Sequence, residues 1–417
     1  MPLASRSELD AVRAATVAAR GLPNAHYTSR EAFEEEKRAV LFSHWSGVGF
    51  GKDVPRPGDV RPVDFLGVPL LLVRDADGAI GVFQNTCRHR GMILVEAPTN
   101  VKKVIRCPYH SWCYGLDGAL KATPHVGGPG HNAHAAIRPE ELGLFRVRSH
   151  VWRDVVFVDV SGEAPPFEQA AAALLERWGE LEQPIAHGGP GSSFELDVRT
   201  NWKLAVENYC ESYHLPWVHP GLNSYSRLQD HYDILDETAS NFSGQGTRVY
   251  RRLRGEDGTV FPEHENLSTK WDEGAEYVAL YPNVLFGVHR DHSFAIVLEP
   301  LDVERTIERV EIYYPTAAAE DPDLAGMREA NARLWHTVFS EDIGVVEGMQ
   351  RGRHGELFDG GRFSPAMDGA THRFHAWVAD AIVARREAAA TAADSGSDAV
   401  RNASPEFAER VIPVVPA

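Results

Sequence analysis

Residues 87–112 read CRHRGMILVEAPTNVKKVIRCPYHSW, and this stretch determines the fold that we predict around it. It carries one Cys and one His in each of two short loops, Cys87 with His89 and Cys107 with His110. Two thiolates and two imidazoles are the ligands of a two-iron, two-sulfur cluster in which Cys binds one iron and His binds the other. A structural zinc site also uses both residue types, but it usually pairs Cys with Cys and His with His. The ligand pattern therefore predicts a [2Fe-2S] cluster.

The composition is that of a globular chain large enough for two domains. Of its 417 residues, 43% are hydrophobic and 24% are charged. The formal net charge of −17 opposes nucleic-acid binding, because no basic stripe is available to pair with phosphate. The charge chiefly indicates solubility, and docking to a basic redox partner is a second interpretation. No apolar run is long enough to cross a bilayer and no secretory pattern opens the chain, so we expect no membrane association and a cytoplasmic protein.

The chain has four cysteines, of which the cluster would use two. The other two, Cys113 and Cys210, are most simply explained as reduced, buried residues.

Apolar patterning divides the chain into four segments. Residues 1–43 contain polar and Glu-rich helical stretches, which we expect to pack on the second domain. Residues 44–160 hold short apolar runs broken by Gly, Pro and Asp, a pattern typical of an all-β domain with the cluster loops at strand ends. Residues 161–386 mix strands and helices and form the second domain. Residues 387–417 become rich in Ala, Ser and Asp and predict a flexible tail.

Two predicted helices in the second domain, residues 201–214 and 324–350, carry a second set of metal-ligating side chains. Pro216 is expected to end the first helix near His214, and His219 then follows just past the break. Five residues on an unbroken helix would separate the two imidazoles by about 140°, so the break is what allows them to converge.

Asp342 interrupts the apolar stripe of the second helix, whereas its neighbour Glu341 is expected to point elsewhere. A carboxylate among apolar side chains is costly unless it is paired or binds a metal. Two His and one carboxylate form the facial triad of mononuclear iron(II), which leaves coordination positions open. His214, His219 and Asp342 are therefore the candidate ligands of a second metal.

The two cluster loops, the segment 207–214 with His219, and the helix around Asp342 together resemble the large subunits of Rieske-type non-heme iron oxygenases. The resemblance extends over roughly residues 25 to 385. It implies an α+β architecture: an all-β Rieske domain, and a helix-grip (START-like) catalytic domain with an antiparallel sheet and helices. It also implies that the first site holds the [2Fe-2S] cluster and that the second holds catalytic Fe(II), which activates O2.

The same resemblance assigns roles to two further residues of the segment 207–214. Glu211 matches the carboxylate that bridges an iron-binding histidine, here His214, to a cluster histidine of the neighbouring subunit, here His110. Asn208 matches a catalytic position of the family. A homotrimer is implied, with electrons from NAD(P)H delivered by a separate flavin and iron–sulfur reductase, because the chain lacks a Gly-rich nucleotide-binding fingerprint.

The expected function is hydroxylation or oxidative demethylation of a small organic substrate. Members that oxidise quaternary amines have Glu at the bridge position, as here, whereas ring-hydroxylating members typically have Asp; residues 215–218 match neither group clearly. A ring-hydroxylating dioxygenase and a non-catalytic electron carrier remain as alternatives. The substrate, the choice between mono- and dioxygenation, the reductase and any small second subunit stay open.

Aromatic and polar side chains of the second domain are the expected substrate contacts, since aromatic walls suit both a flat ring and a methylammonium group. These residues are Trp217, Asn283, His289 and Phe294.

Overall fold

The computed structural model describes residues 3–236 and 241–394. The chain forms two compact units, one built from residues up to Gly47 and from Ala164 to Arg386, the other from Val48 to Glu163. Across the described residues the architecture is α+β, as predicted, and none of the helices combines the length and apolarity that a bilayer crossing requires. Cys113 and Cys210 are buried, as predicted.

The second unit is all-β within its described residues. A seven-stranded sheet has the order β1-β10-β9-β4-β3-β2-β5, and a smaller sheet has the order β6-β7-β8. The first cluster loop follows β4 of the larger sheet, and the second connects β6 to β7 of the smaller one. The strands are β1 Ser46–Phe50, β2 Asp59–Phe65, β3 Val68–Arg74, β4 Ile80–Gln84, β5 Thr99–Asn100, β6 Val104–Arg106, β7 Cys113–Gly115, β8 Leu120–Ala122, β9 Arg146–Trp152 and β10 Val155–Asp159. Tight turns explain the antiparallel pairing: Arg153 and Asp154, between β9 and β10, have φ of +47° and +65°, as a two-residue hairpin loop requires.

The first unit is built on an eight-stranded sheet of order β11-β18-β17-β16-β15-β14-β13, with β12 also paired to β18. Its strands are β11 Ile185–His187, β12 Ser193–Val198, β13 His231–Ile234, β14 Phe242–Thr247, β15 Ala275–Leu280, β16 Val284–Val288, β17 Ser293–Asp302 and β18 Arg305–Pro315. Its helices are α1 Arg6–Val12, α2 Ala25–Thr28, α3 Arg30–Glu36, α4 Phe167–Ala170, α5 Ala172–Arg177, α6 Trp202–Cys210, α7 Leu215–Val218, α8 Pro220–Asn223, α9 Thr316–Glu320, α10 Ala325–Gly352 and α11 Gly369–Asp394. Helix α6 packs on β14, β15 and β17, and α10 packs on α6 and β12.

Two predicted boundaries differ from the structure. The helix predicted at 201–214 ends at Cys210, because Glu211 is extended and its side chain accepts hydrogen bonds from the backbone N–H groups of Tyr213 and His214. That carboxylate, rather than the prolines, stops the helix. The tail predicted from residue 387 begins too early, since α11 continues to Asp394 through an Ala-rich stretch with high helix propensity. The rest of the predicted tail, 395–417, lies outside the described residues.

A buried ionic network joins the N-terminal helices to the start of α6. The Lys203 ammonium donates to the Glu36 carboxylate at 2.6 Å and to the His26 carbonyl at 2.7 Å, and all three residues are fully buried. A charge held away from water needs such partners, so the network fixes α6 against the chain's first segment.

Glu207, on the same helix, is the centre of a second buried network. Its carboxylate accepts the Tyr27 hydroxyl and lies 3.4 Å from the Arg353 guanidinium and 3.3 Å from Nε2 of His375. Burial alone would raise the pKa of Glu207, but the charges of His375 and Arg353 and the hydrogen bond from Tyr27 outweigh it and lower the pKa to about 2. The ionised carboxylate therefore ties together four separate segments.

We expect Glu207→Gln to lower the free energy of unfolding by roughly 3 kcal/mol at neutral pH, because Arg353 and His375 lose a buried counter-charge. The folded pKa lies below the ordinary value, so this stabilisation is complete above pH 4.5 and is lost as the pH falls towards 2. Urea unfolding at a series of pH values measures it, and wild type and variant should converge at the acid end.

The matched control is Glu176→Gln, which changes an exposed acid on α5 and should leave unfolding unaltered. Equal stability of wild type and Glu207→Gln at neutral pH would contradict the network's role.

Candidate metal centres

The two Cys–His loops of the second unit share one backbone pattern. The N–H of Cys87 donates to the carbonyl five residues on at 2.8 Å, and its carbonyl accepts from Gly91 at 3.0 Å. The second loop repeats both bonds around Cys107 and Ser111, at 2.8 and 3.0 Å. Gly91 and Ser111 have φ of +71° and +59°, the left-handed conformation that closes each turn. Each loop is thus a tight turn that presents its Cys and its His from one rigid backbone.

The four ligand side chains divide into an inner and an outer pair. The thiols of Cys87 and Cys107 are 3% and 1% exposed and belong to the apolar core of the unit. The rings of His89 and His110 lie 4.7 Å apart; the first is exposed and the second partly exposed. The Nδ1 atom of His110 is nevertheless buried without a hydrogen-bond partner, as expected of an atom that binds a metal. The donor set fits a cluster with its thiolate iron inside and its imidazole iron at the surface.

Tyr114 is a contributor to this site that sequence reasoning missed. Its hydroxyl accepts from the backbone N–H of Arg88 at 3.0 Å and lies 3.2 Å from the Cys87 sulfur. With the amide hydrogen bond taken, the hydroxyl proton is free to donate to the sulfur and stabilise a thiolate. The sequence indicates Tyr114 only through strand alternation, which directs its side chain from β7 into the core behind the second loop.

In the first unit, His214, His219 and Asp342 converge. One ligand atom from each lies within 4.8 Å of the other two. The Nε2 atoms of His214 and His219 are 3.6 Å and 3.1 Å from Oδ1 of Asp342. That oxygen is buried, and nothing among the described residues donates a hydrogen bond to it, which leaves it available to a metal. Two imidazoles and a carboxylate facing one point fit a divalent transition-metal ion.

The turn of helix α7 between the two histidines is what brings them together. The helix α6 ends at Cys210, and the chain then folds into the short α7, which separates His214 from His219. Asp342 comes from α10 on the other side. The expectation that a break in the helix lets both imidazoles turn toward one point is confirmed, although Glu211 makes the break.

Each histidine is oriented by a carboxylate on its other ring nitrogen. Nδ1 of His214 is 2.6 Å from Oε1 of Glu211, and Nδ1 of His219 is 2.7 Å from Oε2 of Glu341. Such contacts fix Nδ1 as the protonated nitrogen and leave the Nε2 lone pair for a metal. Burial alone would lower the pKa of His219, but Asp342 and Glu341 outweigh it and raise the pKa.

The prediction that Glu341 points elsewhere is therefore wrong. Neighbouring helix positions are about 100° apart, but His219 lies across α10 between these two positions. The longer Glu341 side chain reaches Nδ1 of His219, and Asp342 reaches Nε2.

A small cavity of about 20 Å³ adjoins Asp342. Asn208, predicted to be catalytic, lines it together with Glu308 of β18. Burial, and to a lesser extent the charge of Asp342, raise the pKa of Glu308 to about 8. Sequence reasoning missed Glu308. Its only signal is strand alternation, which places this acid on the same face of β18 as the buried Val310 and Ile312.

The predicted substrate residues occupy three different places. Trp217, on α7, is 71% exposed, and its ring makes an edge-to-face contact with the ring of Tyr213. Asn283 is fully buried, and its amide group bonds the backbone of Gly47 and Leu298, so the structure does not bring it to the cavity.

His289 and Phe294 lie in a buried aromatic cluster further along the inner face of the sheet. His289 stacks on His292 at 4.2 Å, and Phe294 lies 4.7 Å from Trp335 of α10. Nε2 of His289 is 3.1 Å from the Tyr277 hydroxyl, and its Nδ1 has no hydrogen-bond partner. Burial and the neighbouring His292 lower the pKa of His289 well below its usual value, so the ring is neutral.

Two known domain families match the chain. Residues 44–136 match the Rieske [2Fe-2S] domain, and residues 186–384 match the catalytic domain of the ring hydroxylating alpha subunit. The first match contains both Cys–His loops, and the second contains all three converging metal ligands.

Two curated relatives are similar over most of their length. The carnitine monooxygenase oxygenase subunit of Acinetobacter pittii is 25% identical over 336 residues, which cover 79% of this chain and 84% of the relative. The chloroplastic choline monooxygenase of Spinacia oleracea is 26% identical over 364 residues, covering 85% and 77%.

Solved structures share the fold. A quaternary ammonium Rieske monooxygenase, CntA, in complex with L-carnitine superposes with a TM-score of 0.69 at 23% identity, covering 91% of this chain and 99% of that one. The naphthalene 1,2-dioxygenase of Rhodococcus sp. gives the same TM-score at 15% identity, with 87% and 94% covered. The fold alone therefore does not separate monooxygenation from dioxygenation.

We expect Asp342→Ala to remove the metal held with His214 and His219 and to leave the cluster intact, because only the second site loses an anionic ligand. Iron analysis should fall from about three to about two atoms per chain, with the cluster's visible absorption unchanged. Glu329→Ala, which changes a 60%-exposed acid on the same helix, is the matched control and should keep the full iron content. Retention of the third iron in Asp342→Ala would refute the ligand assignment.

Proposed function

Because the chain belongs to the family of Rieske-type non-heme iron oxygenases, we propose that it is the oxygenase component of a system that oxidises a methylated or quaternary amine. It is an oxidoreductase that uses O2. In the proposed reaction one oxygen atom enters a C–H bond of the substrate and the other leaves as water, with two electrons supplied by NAD(P)H through a separate reductase. Hydroxylation of an N-methyl carbon would lead on to demethylation.

The proposed metal ligands follow the geometry of the two sites. Cys87, Cys107, His89 and His110 would hold the [2Fe-2S] cluster, and the triad with Asp342 would hold Fe(II). When bound, these groups supply one-electron storage and O2 activation. The protein's part is to orient both imidazoles of the triad through Nδ1 and to leave the remaining metal positions open to the cavity.

The observation that carries the choice of substrate class is the Glu at position 211 together with its contact to His214 at 2.6 Å. The relatives with this class of substrate in their names, carnitine and choline monooxygenases, are similar across three quarters or more of their length. A ring-hydroxylating dioxygenase shares the fold but is not favoured by that residue. An electron carrier would have no use for a second metal site.

Electron delivery between subunits is the proposed role of Glu211. One of its oxygens meets Nδ1 of His214, and the other accepts backbone N–H groups, but each carboxylate oxygen can accept a further hydrogen bond. The partly exposed ring of His110 would provide its Nε2 nitrogen from a neighbouring subunit in a head-to-tail homotrimer. A related quaternary ammonium Rieske monooxygenase is described in terms of inter-subunit electron transfer, which supports this arrangement.

Substrate-dependent O2 uptake tests the proposed function. The purified protein, with a generic flavin and iron–sulfur reductase and NADH, is presented with choline, carnitine, other methylated amines and a set of aromatic acids. We expect uptake with one or more methylated amines, coupled to loss of the amine, and background rates with aromatic acids. Uptake with aromatic acids alone would replace the proposal by ring hydroxylation.

For Glu211 we expect Glu211→Gln to keep both metals but to slow transfer from the reduced cluster to the iron by about a hundredfold or more, because a charged hydrogen-bonded bridge is lost. Stopped-flow measurement of cluster reoxidation under O2 with substrate present gives this rate.

Glu341→Gln is the matched control, since it removes the same kind of carboxylate–imidazole contact from His219 without touching the bridge. Like Glu211→Gln, it should keep both metals, but it should reoxidise its cluster at the normal rate. Equal rates in wild type and Glu211→Gln would exclude the bridging role.

A further inference from the structure

Glu308, which is partly exposed, lies among largely apolar side chains on the inward face of β18. Its neighbours on that face of β18, Thr306 and Val310, are fully buried, and its partner on β17 is the fully buried Leu298. Among the described residues, no hydrogen bond or ion pair of its carboxylate is found. A carboxylate among apolar side chains is retained only at a cost unless something binds it.

The cavity into which Glu308 faces is the one that adjoins the proposed iron site. Apart from Asn208 and Asp342, its other walls are apolar or aromatic, and no Lys or Arg takes part. The hydroxyl of Tyr209 is used by the Phe286 carbonyl at 2.9 Å, so its ring, rather than its oxygen, is what it offers to the cavity.

The only other acid of the lining, Asp342, is committed to the triad. Its Oδ1 lies within 3.6 Å of Nε2 of both His214 and His219, where the metal would be held. Glu308 is therefore the one acid of the lining that is neither paired with a described cation nor proposed as a metal ligand. Its raised pKa favours the protonated form in the metal-free site, and a cation bound beside it would favour the ionised form. Aromatic faces and a single unpaired carboxylate are what a quaternary ammonium group requires, because such a group attracts π-systems and anions but donates no hydrogen bond.

We propose that Glu308 is the counter-ion that holds the ammonium group of the substrate beside the iron. This inference rests on the proposed function and names the residue that would select a cationic substrate. As described, the cavity has room for about one water, so a trimethylammonium group enters only when a lining side chain such as Phe339 turns aside.

The test uses a pair of ligands of equal shape: choline, and its neutral isostere in which carbon replaces the quaternary nitrogen. Each is titrated by calorimetry into the iron-loaded protein without O2, so that binding is measured independently of turnover. We expect wild type to bind choline at least about tenfold more tightly than the isostere, and Glu308→Gln to lose that preference while binding the isostere as before. Glu195→Gln, an exposed acid on the adjacent strand β12, should retain the preference.

The outcomes separate the two proposals. If wild type prefers neither choline nor any other methylated amine over its neutral isostere, the amine substrate class fails, and the role of Glu308 fails with it. If wild type prefers choline and Glu308→Gln keeps the preference, only the role of Glu308 is overturned. If Glu308→Gln weakens both ligands equally or loses the third iron, Glu308 supports packing or the metal, and the counter-ion role is again overturned.

Discussion

The fold holds three electron-pair donors, the Nε2 atoms of two histidines and one carboxylate oxygen, close together, and the rest of the first unit depends on this constraint. Glu211 and Glu341 accept hydrogen bonds from the Nδ1–H groups of His214 and His219. Both Nε2 atoms therefore direct their lone pairs toward Oδ1 of Asp342. Acceptors facing each other at 3.1 and 3.6 Å repel, and a buried oxygen without a hydrogen bond costs roughly 1–3 kcal/mol. A divalent cation placed between them reverses the sign of every one of these interactions. The protein scaffold is thus arranged for the metal rather than for its own stability.

Holding such an arrangement requires the segments behind it to be rigid. Glu207 lies one turn before Glu211, and its ionised carboxylate joins α6 to Tyr27 of α2, to Arg353 at the end of α10 and to His375 of α11. The contact between Glu207 and Arg353 links α6 to α10, the helix that carries Asp342. Because α6 and α10 are tied on the side away from the cavity, the loop after Cys210 can leave the helix and place two imidazoles without loosening the packing. The buried charges serve geometry, since an apolar contact would hold the helices together but would leave their rotation less defined.

The sequence allowed prediction of features that depend on local chemistry. The Cys–His loops, the triad and the α+β architecture follow from residue types, short spacings and helical periodicity, which are properties of the chain before it folds. Features set by tertiary register were missed. Glu341 and Asp342 are adjacent, and only the position of His219 over α10 shows that both face the metal site. The placement of Asn283 against the Gly47 backbone, likewise, depends on a contact 236 positions away in sequence. The end of α6 at Cys210 was misplaced because a side chain that caps a turn competes with the helix as effectively as proline does.

The charge of the cavity decides between substrate classes more directly than its shape. A divalent ion bound by two neutral imidazoles and one carboxylate would carry one net positive charge, which would favour the ionised form of Glu308 over the protonated form. At an effective dielectric constant of about 20, a further charge some 6 Å from Glu308 interacts with it by roughly 3 kcal/mol. An ionised Glu308 disfavours an aromatic acid beside it and favours a methylated ammonium by up to this amount, and the positive charge of the iron site acts in the opposite direction and reduces both effects. The fold is common to oxygenases of both kinds, so selectivity in this chain must come from individual side chains such as this one on β18.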